Sequence, residues 1–342
     1  MKLISLVLVL AVVTGALFST AVYLQAPRNE PLPQVVIVYA GEKGDLSFID
    51  STYRGVFRAQ EAFAFDKQEF TAFDPVVIAG LLAREGPDRP GLVITASYAY
   101  DRSVRTLARE YPGVMFLGLD LRGSDSPNLR TCEIASYGSS YLAGVLAASA
   151  TRNHHVGVIA GTRAEILDPF LAGYRDGARA VDPAIVIDEQ YVQEDSLDGF
   201  NDPGRAEAIA RSMYGSGADV IYNPNGFSVA GVIREAKRAP GRYVIGVDSD
   251  QTDLGPAVVL ASMVKHTDRA VYDNIGRYLN GTFAGGDEVV GLRDGATEIV
   301  FNPKFCRYEE VVQAWEGKAM EAEARYLRDR EAKGNEDGRT GG

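Results

Sequence analysis

The chain has 342 residues, with 46 acidic against 35 basic side chains and a formal net charge of −11. About 300 residues beyond the N-terminal segment exceed what one hydrophobic core usually organises, which predicts two lobes, and the negative charge opposes a nucleic-acid partner. Cys132 and Cys306 are too few for a disulfide framework or a zinc cluster, and the sequence leaves open whether they pair or stay as two buried thiols.

The N-terminus reads MKLISLVLVLAVVTGALFSTAVYL. Lys2 ahead of a long apolar run, with Ser19-Thr20-Ala21 offering small residues for cleavage, is the pattern of a secretory signal. Leu3 to Leu24 is also long enough for a retained anchor, since roughly 20 apolar residues span a bilayer. Residues 1–26 are therefore a signal peptide or an N-terminal membrane anchor, and 27–33 a linker. Either way the rest is expected outside the cytoplasm, touching the membrane only through the N-terminal segment.

From Gln34 onward, short apolar runs alternate with helical stretches. QVVIVYA (34–40), GLVITAS (91–97), VMFLGLD (114–120), HVGVIAG (155–161), ADVIYN (218–223) and RYVIGVD (242–248) are nearly continuous in apolar residues. Such strands are buried on both faces, as in a parallel sheet covered by helices. The fold class is thus α/β, with doubly wound parallel sheets. Asp74 and Asp202, each followed by proline, and Asp101 are predicted helix N-caps. After Ser51, the residues Tyr53, Val56, Phe57 and Phe63 predict one apolar helical face. The polar, glycine-rich end, 331–342, is expected to be disordered.

In open α/β sheets, ligands bind beyond the carboxyl ends of the strands. Asp120 and Asp248 each close an apolar strand, where a carboxylate either caps the next helix or faces a ligand. Tyr39, Tyr98 and Tyr222 also lie near strand ends. Other chemistries find no support. There is no GxxxxGK[ST] phosphate loop, and Gly215-Ser216-Gly217 precedes a strand instead of following one. No GxSxG elbow occurs. His154, His155 and His266 form no HExxH pattern, and Asp248 to Asp253 lacks both the glycine and the twelfth-place glutamate of a calcium loop. No cofactor and no metal is expected. Asn280-Gly281-Thr282 matches a glycosylation sequon but is read as the end of a helix running through Val271 to Leu279.

At GDLSF (44–48), SYLAG (140–144), GADVIYNPNG (217–226), IGVDSDQ (245–251) and LASMVKHTDRAV (260–271), the chain resembles the basic membrane protein family. These are extracytoplasmic substrate-binding proteins, best known as purine-nucleoside receptors of ABC transporters, and the resemblance runs in order from about Gln34 to about Asn302. It implies a type I periplasmic-binding fold, with two lobes joined by three crossovers. The lobes are expected at 34–134 plus 249–282 and at 135–248 plus 283–330. It also implies site roles. Asp45 and Phe48 belong to the family's Asp-x-Ser-Phe segment, with Phe48 stacking on a base, and Tyr222 closes the sandwich where the family usually has phenylalanine. Asp120 takes the purine edge, Asp248 the ribose hydroxyls, Lys265 donates to the sugar, and Gly226 lets the backbone approach it. Ile49-Asp50 departs from the family's usual Asn-Gln, and no lipid-bearing cysteine ends the apolar run. The expected partners are a nucleoside and an ABC permease, with the protein a monomer and not an enzyme. The alternatives are a signalling receptor for another small polar ligand and an exported nucleoside hydrolase.

Overall fold

The computed structural model describes residues 31–340, so the N-terminal run read as signal or anchor lies outside the described residues. In chain order the elements are β1 (Gln34–Tyr39), α1 (Phe48–Ala62), β2 (Asp66–Phe70), α2 (Pro75–Leu82), β3 (Leu92–Ala96), α3 (Asp101–Glu110), β4 (Met115–Leu119) and β5 (Leu129–Ile134). There follow α4 (Tyr137–Ala150), β6 (His155–Ala160), α5 (Asp168–Val181), β7 (Val186–Tyr191), α6 (Pro203–Ser216), β8 (Val220–Tyr222), α7 (Val229–Ala236), β9 (Tyr243–Asp248) and β10 (Val259–Lys265). The last are α8 (Thr267–Leu279), β11 (Gly286–Val290), β12 (Thr297–Phe301), α9 (Glu309–Gln313) and α10 (Glu316–Thr340).

The strands form two six-stranded sheets, ordered β11-β5-β4-β3-β1-β2 and β12-β10-β9-β8-β6-β7. The first is parallel throughout. In the second only β12 runs antiparallel, against β10. Each sheet is covered on both faces. Val35, Ile37 and Tyr39 pack towards α1 and α8, while Val36 and Val38 pack towards α2 and α3. In the second lobe Val156, Val158 and Tyr222 face α4 and α5, and Ile159 and Ile221 face α6 and α7. This two-sided burial is why the central strands carry near-continuous apolar runs.

β1 to β5 build the first sheet, β6 to β10 the second, β11 returns to the first and β12 to the second, so the chain crosses three times. The expected lobe limits are corrected in two places. Residues 259–265 belong to the second sheet and 286–290 to the first. Val259 to Lys265 is buried at every position and finds its partner in β9, its nearest neighbour in sequence, so the second crossing falls after Lys265 instead of after Asp248. α8 packs in the first lobe, through Val271 and Ile275.

Local chemistry explains two of the helix starts directly. Asp74 accepts from the Val76 and Val77 amides at 2.9 and 3.1 Å, and Asp202 from the Arg205 amide at 2.9 Å, each with proline next in sequence. Asp101 differs: it is already inside α3 and binds Arg105 Nε at 2.9 Å, one turn on. α1 starts at Phe48, ahead of Ser51, and Phe57 faces solvent while Val56 and Ala59 are buried. α8 ends at Leu279 with Asn280 as its C-cap, as read. The tail expected to be disordered continues α10 as far as Thr340, since the Ala-, Glu- and Arg-rich stretch before it nucleates a helix that then propagates at little cost. α10 also ties the crossings together. Buried Glu323 accepts from the Gly138 and Leu292 amides at 2.7 and 2.9 Å, and Arg330 pairs with Glu133 through two contacts of 2.6 and 2.7 Å. Cys132 is buried in β5 and Cys306 exposed in the second lobe, both free, so they are neither paired nor two buried thiols.

Candidate functional site

The loop after β1 is folded by two aspartates. Asp45 accepts from the Ser47, Ile49 and Asp50 amides at 2.9, 2.9 and 3.0 Å, satisfying the open N–H groups at the start of α1. Asp50 accepts from the Gly44 and Leu46 amides at 2.7 and 2.9 Å. This knot sets Phe48 as the first residue of α1 and turns its ring towards the second lobe. Both Asp45 oxygens are spent on backbone, which makes it a holder of the loop; burial pushes its carboxyl up while those amides pull it down.

Asp120 follows β4 and Asp248 ends β9, and both have left-handed backbones, with φ of 55° and 68°. A non-glycine residue there costs of order 1–3 kcal/mol and persists only where its surroundings enforce it. Lys265 ends β10, is 2% exposed, and places Nζ 3.0 Å from each Asp120 oxygen, across the two lobes. The same ammonium lies 5.4 Å from the Phe48 ring centre and 5.5 Å from that of Phe170. Burial pulls Lys265 towards the neutral form, but Asp120 and then Asp248 outweigh it and hold its pKa above the usual value. Asp248 is pushed up to about 6, chiefly by burial, with Lys265 and the Ser47 hydroxyl pulling it down and Asp120 and Asp45 pushing it up.

These groups line a cavity between the lobes, with about 700 Å³ of empty space counted to its open mouth. Phe48, Ile49 and Tyr98 form its wall on the first lobe, and Phe170, Leu197 and Phe200 on the second. Asp45, Asp120, Asp248, Lys265 and Gly226 line it as well, so six of the seven residues named from sequence meet there. Gly226 has φ of 58°, and a Cβ on it would come within 2.9 Å of the Phe200 carbonyl oxygen, so glycine is what lets the Phe200 turn close over it.

Tyr222 is the correction. It is fully buried, its hydroxyl 2.8 Å from Ser140 Oγ and its ring stacked on Tyr174 at 5.0 Å and 18°. Alternation along β8 sends Tyr222 to the α4–α5 side of the sheet, away from the cavity. Phe170 and Phe200 supply the second lobe's rings instead. Both were missed, yet each sits beside an Asp-Pro pair that starts a helix, at Asp168-Pro169 and Asp202-Pro203. Among the described residues no cluster of three or more His, Cys, Asp or Glu is arranged to hold a metal ion, and no helix is long and apolar enough to cross a membrane.

Two doubly wound lobes, three crossings and a cavity between strand ends define a two-lobed binding protein of the type I periplasmic kind. The family described as ABC transporter substrate-binding protein, PnrA-like, matches residues 32–323, and the chain belongs to it. Substrate-binding proteins of ABC transporters are extracytoplasmic. Basic membrane protein A2 of Borrelia garinii subsp. bavariensis is 28% identical over 286 residues, covering 81% of this chain and 82% of that one. The ABC transporter nucleoside-binding protein BmpA of Lactococcus lactis subsp. cremoris is 32% identical over 225 residues, covering 61% and 63%. An ABC transporter solute-binding protein from Aeropyrum pernix K1 shares the fold, with a TM-score of 0.71 over 88% of this chain and 86% of that one, at 23% identity.

Proposed function

We propose that the protein captures an uncharged nucleoside, preferably a purine, between its lobes and hands it to an ABC transporter permease. The observation that carries this reading is the cavity wall: Phe48 on one lobe faces Phe170 and Phe200 on the other, beside the Asp120–Lys265 pair and Asp248. Stacking on aromatic rings contributes about 1–3 kcal/mol per base and accepts any base. Discrimination then falls to acceptors. In this reading Asp120, held in place by Lys265, accepts from the base edge, and Asp248 and Lys265 take the ribose hydroxyls. A buried acceptor left without its donor costs about 1–3 kcal/mol, which rejects analogues lacking that donor. Three carboxylates against one ammonium at the wall disfavour a phosphate group, so nucleotides are excluded. Ile49 presents an apolar surface where the family's usual residue is polar. The protein acts as a monomer without catalysis, exported or tethered by its N-terminal segment.

The test is a thermal-shift and calorimetric series with adenosine, guanosine, inosine, cytidine, uridine, ribose and adenosine monophosphate. A ligand at about a hundred times its Kd adds roughly 2.7 kcal/mol, a shift of several degrees. Stabilisation by purine nucleosides, with ribose and the nucleotide silent, is expected. Stabilisation by ribose alone, or by no nucleoside, overturns the reading, and release of free base overturns the absence of catalysis.

A further inference from the structure

The sequence segments GDLSF and VDSDQ lie on different lobes and bind each other. Ser47 Oγ donates to Asp248 Oδ2 at 2.6 Å, and Ser249 Oγ donates to the Ser47 carbonyl at 3.2 Å. Gln251 Nε2 donates to the Leu46 carbonyl at 3.1 Å, and Arg54 Nη2 to Ser249 Oγ at 2.9 Å. Ser47, Ser249 and Gln251 are buried, and the two residues at the centre, Leu46 and Asp248, both hold left-handed backbones. A carboxylate at the end of a strand has no packing of its own to fix its rotamer. Here the fixing group comes from across the cleft.

We infer that Ser47 is a positioning residue for Asp248: acting from the opposite lobe, with Arg54 bracing the turn through Ser249, it sets the carboxylate into its ligand-accepting orientation only when the lobes are together. With Oδ2 taken by Ser47, Oδ1 is the oxygen turned to the ligand. The positioning itself does not depend on the ligand; only the assignment of Oδ1 to a sugar hydroxyl rests on the nucleoside reading.

The groups facing Asp248 are Lys265, Asp120 and Asp45, with the Tyr222 phenol beneath, and Ser47 is its neutral donor. A hydrogen bond to the ionised form favours that form, so losing it raises the carboxyl pKa. The experiment is a carboxyl-carbon NMR titration of the ligand-free full chain labelled at aspartate, with Asp248→Asn identifying the resonance. Ser47→Ala is expected to raise the Asp248 midpoint by about one unit, and Ser47→Thr, which keeps the hydroxyl, to restore it. A midpoint in Ser47→Ala that stays within about 0.3 unit of the parent overturns the inference. Inosine titrations supply the second arm: Ser47→Ala should lose about fivefold more affinity at pH 6 than at pH 8.5, as expected for a midpoint moved from about 6 to about 7. Equal losses at both pH values would also overturn it. Arg54→Met lies outside the cavity and is expected to enlarge the ligand-free radius of gyration in X-ray scattering; an unchanged radius removes the bracing role. If no nucleoside binds, the NMR arm still decides, which separates this inference from the proposed function.

Discussion

Replacing Lys265 by methionine removes the one cation among the described residues that line the cavity, while keeping most of its volume. Lys265 is 2% exposed, and its side chain meets both Asp120 oxygens at 3.0 Å, with the Asp120 side chain 12% exposed. At that separation the attraction is of order 5 kcal/mol with an effective dielectric of about 20, and breaking a buried pair by deleting one partner costs about 3–5 kcal/mol. For a protein of this size the loss corresponds to roughly 10 °C in Tm. The loss should depend on pH. Asp248, already at about 6 in the folded protein against about 4 unfolded, loses the ammonium that lowers it and rises further. A carboxyl raised by folding contributes stability that is full below its unfolded pKa and is lost as pH rises through the folded value. The variant should therefore be penalised more at pH 8 than at pH 5. Calorimetric melts of Lys265→Met, Asp120→Asn and the double variant at both pH values check this, with a coupling of at least about 1.5 kcal/mol expected at pH 8. Additivity within about 0.5 kcal/mol, or equal losses at both pH values, would refute the reasoning.

Phe48→Ala and Phe200→Ala should each weaken nucleoside binding by about 5- to 150-fold in calorimetry, the equivalent of 1–3 kcal/mol. Tyr222→Phe should leave affinity unchanged while lowering stability by about 1 kcal/mol, because Ser140 loses its buried partner. Nucleoside affinity should be flat above pH 7 and fall about tenfold per unit below pH 6, since protonating Asp248 removes an acceptor; a flat profile to pH 4.5 would exclude Asp248 from ligand contact. His266, at the second crossing, lies 3.8 Å from Asp268 and 2.7 Å from Glu298, and these carboxylates hold its pKa above the usual value. A histidine raised in this way stabilises below its unfolded pKa and stops doing so as pH rises through the folded value. His266→Gln should accordingly lower Tm more at pH 5.5 than at pH 8.5.

The central strands were legible because burial on both faces leaves almost no polar residue in them. The edge strands were not: β2 reads DKQEF and β7 VIDEQY, and one face or both of each meets water. β10, VLASMVK, went unread as a strand although every residue in it is buried, and the expected crossing was placed at Asp248 instead of Lys265. Asp74 and Asp202 were recognisable as caps by the proline that follows, whereas Asp101 has no such mark and serves Arg105. At the site, residues that end strands were the readable ones, since the strand fixes where they emerge. Tyr222 shows the limit: along a strand, adjacent side chains point to opposite faces, and motif position alone does not say which face meets the cavity. Phe170 and Phe200 lie at helix entries, where spacing carries no period to read.

The return of β11 to the first sheet sets the order in which the protein can be completed. β5 pairs with β11 along its outer edge, yet β6 to β10, with their helices, are made in between. During synthesis or passage across a membrane, the first lobe therefore waits with an open strand edge until about residue 290 has emerged, and contacts so distant in sequence form slowly. A chain cut short after α8 would keep a largely intact second sheet beside a first sheet lacking its border. Such a fragment should self-associate through β5. Completion of the first lobe thus acts as a built-in check that nearly the whole polypeptide has arrived.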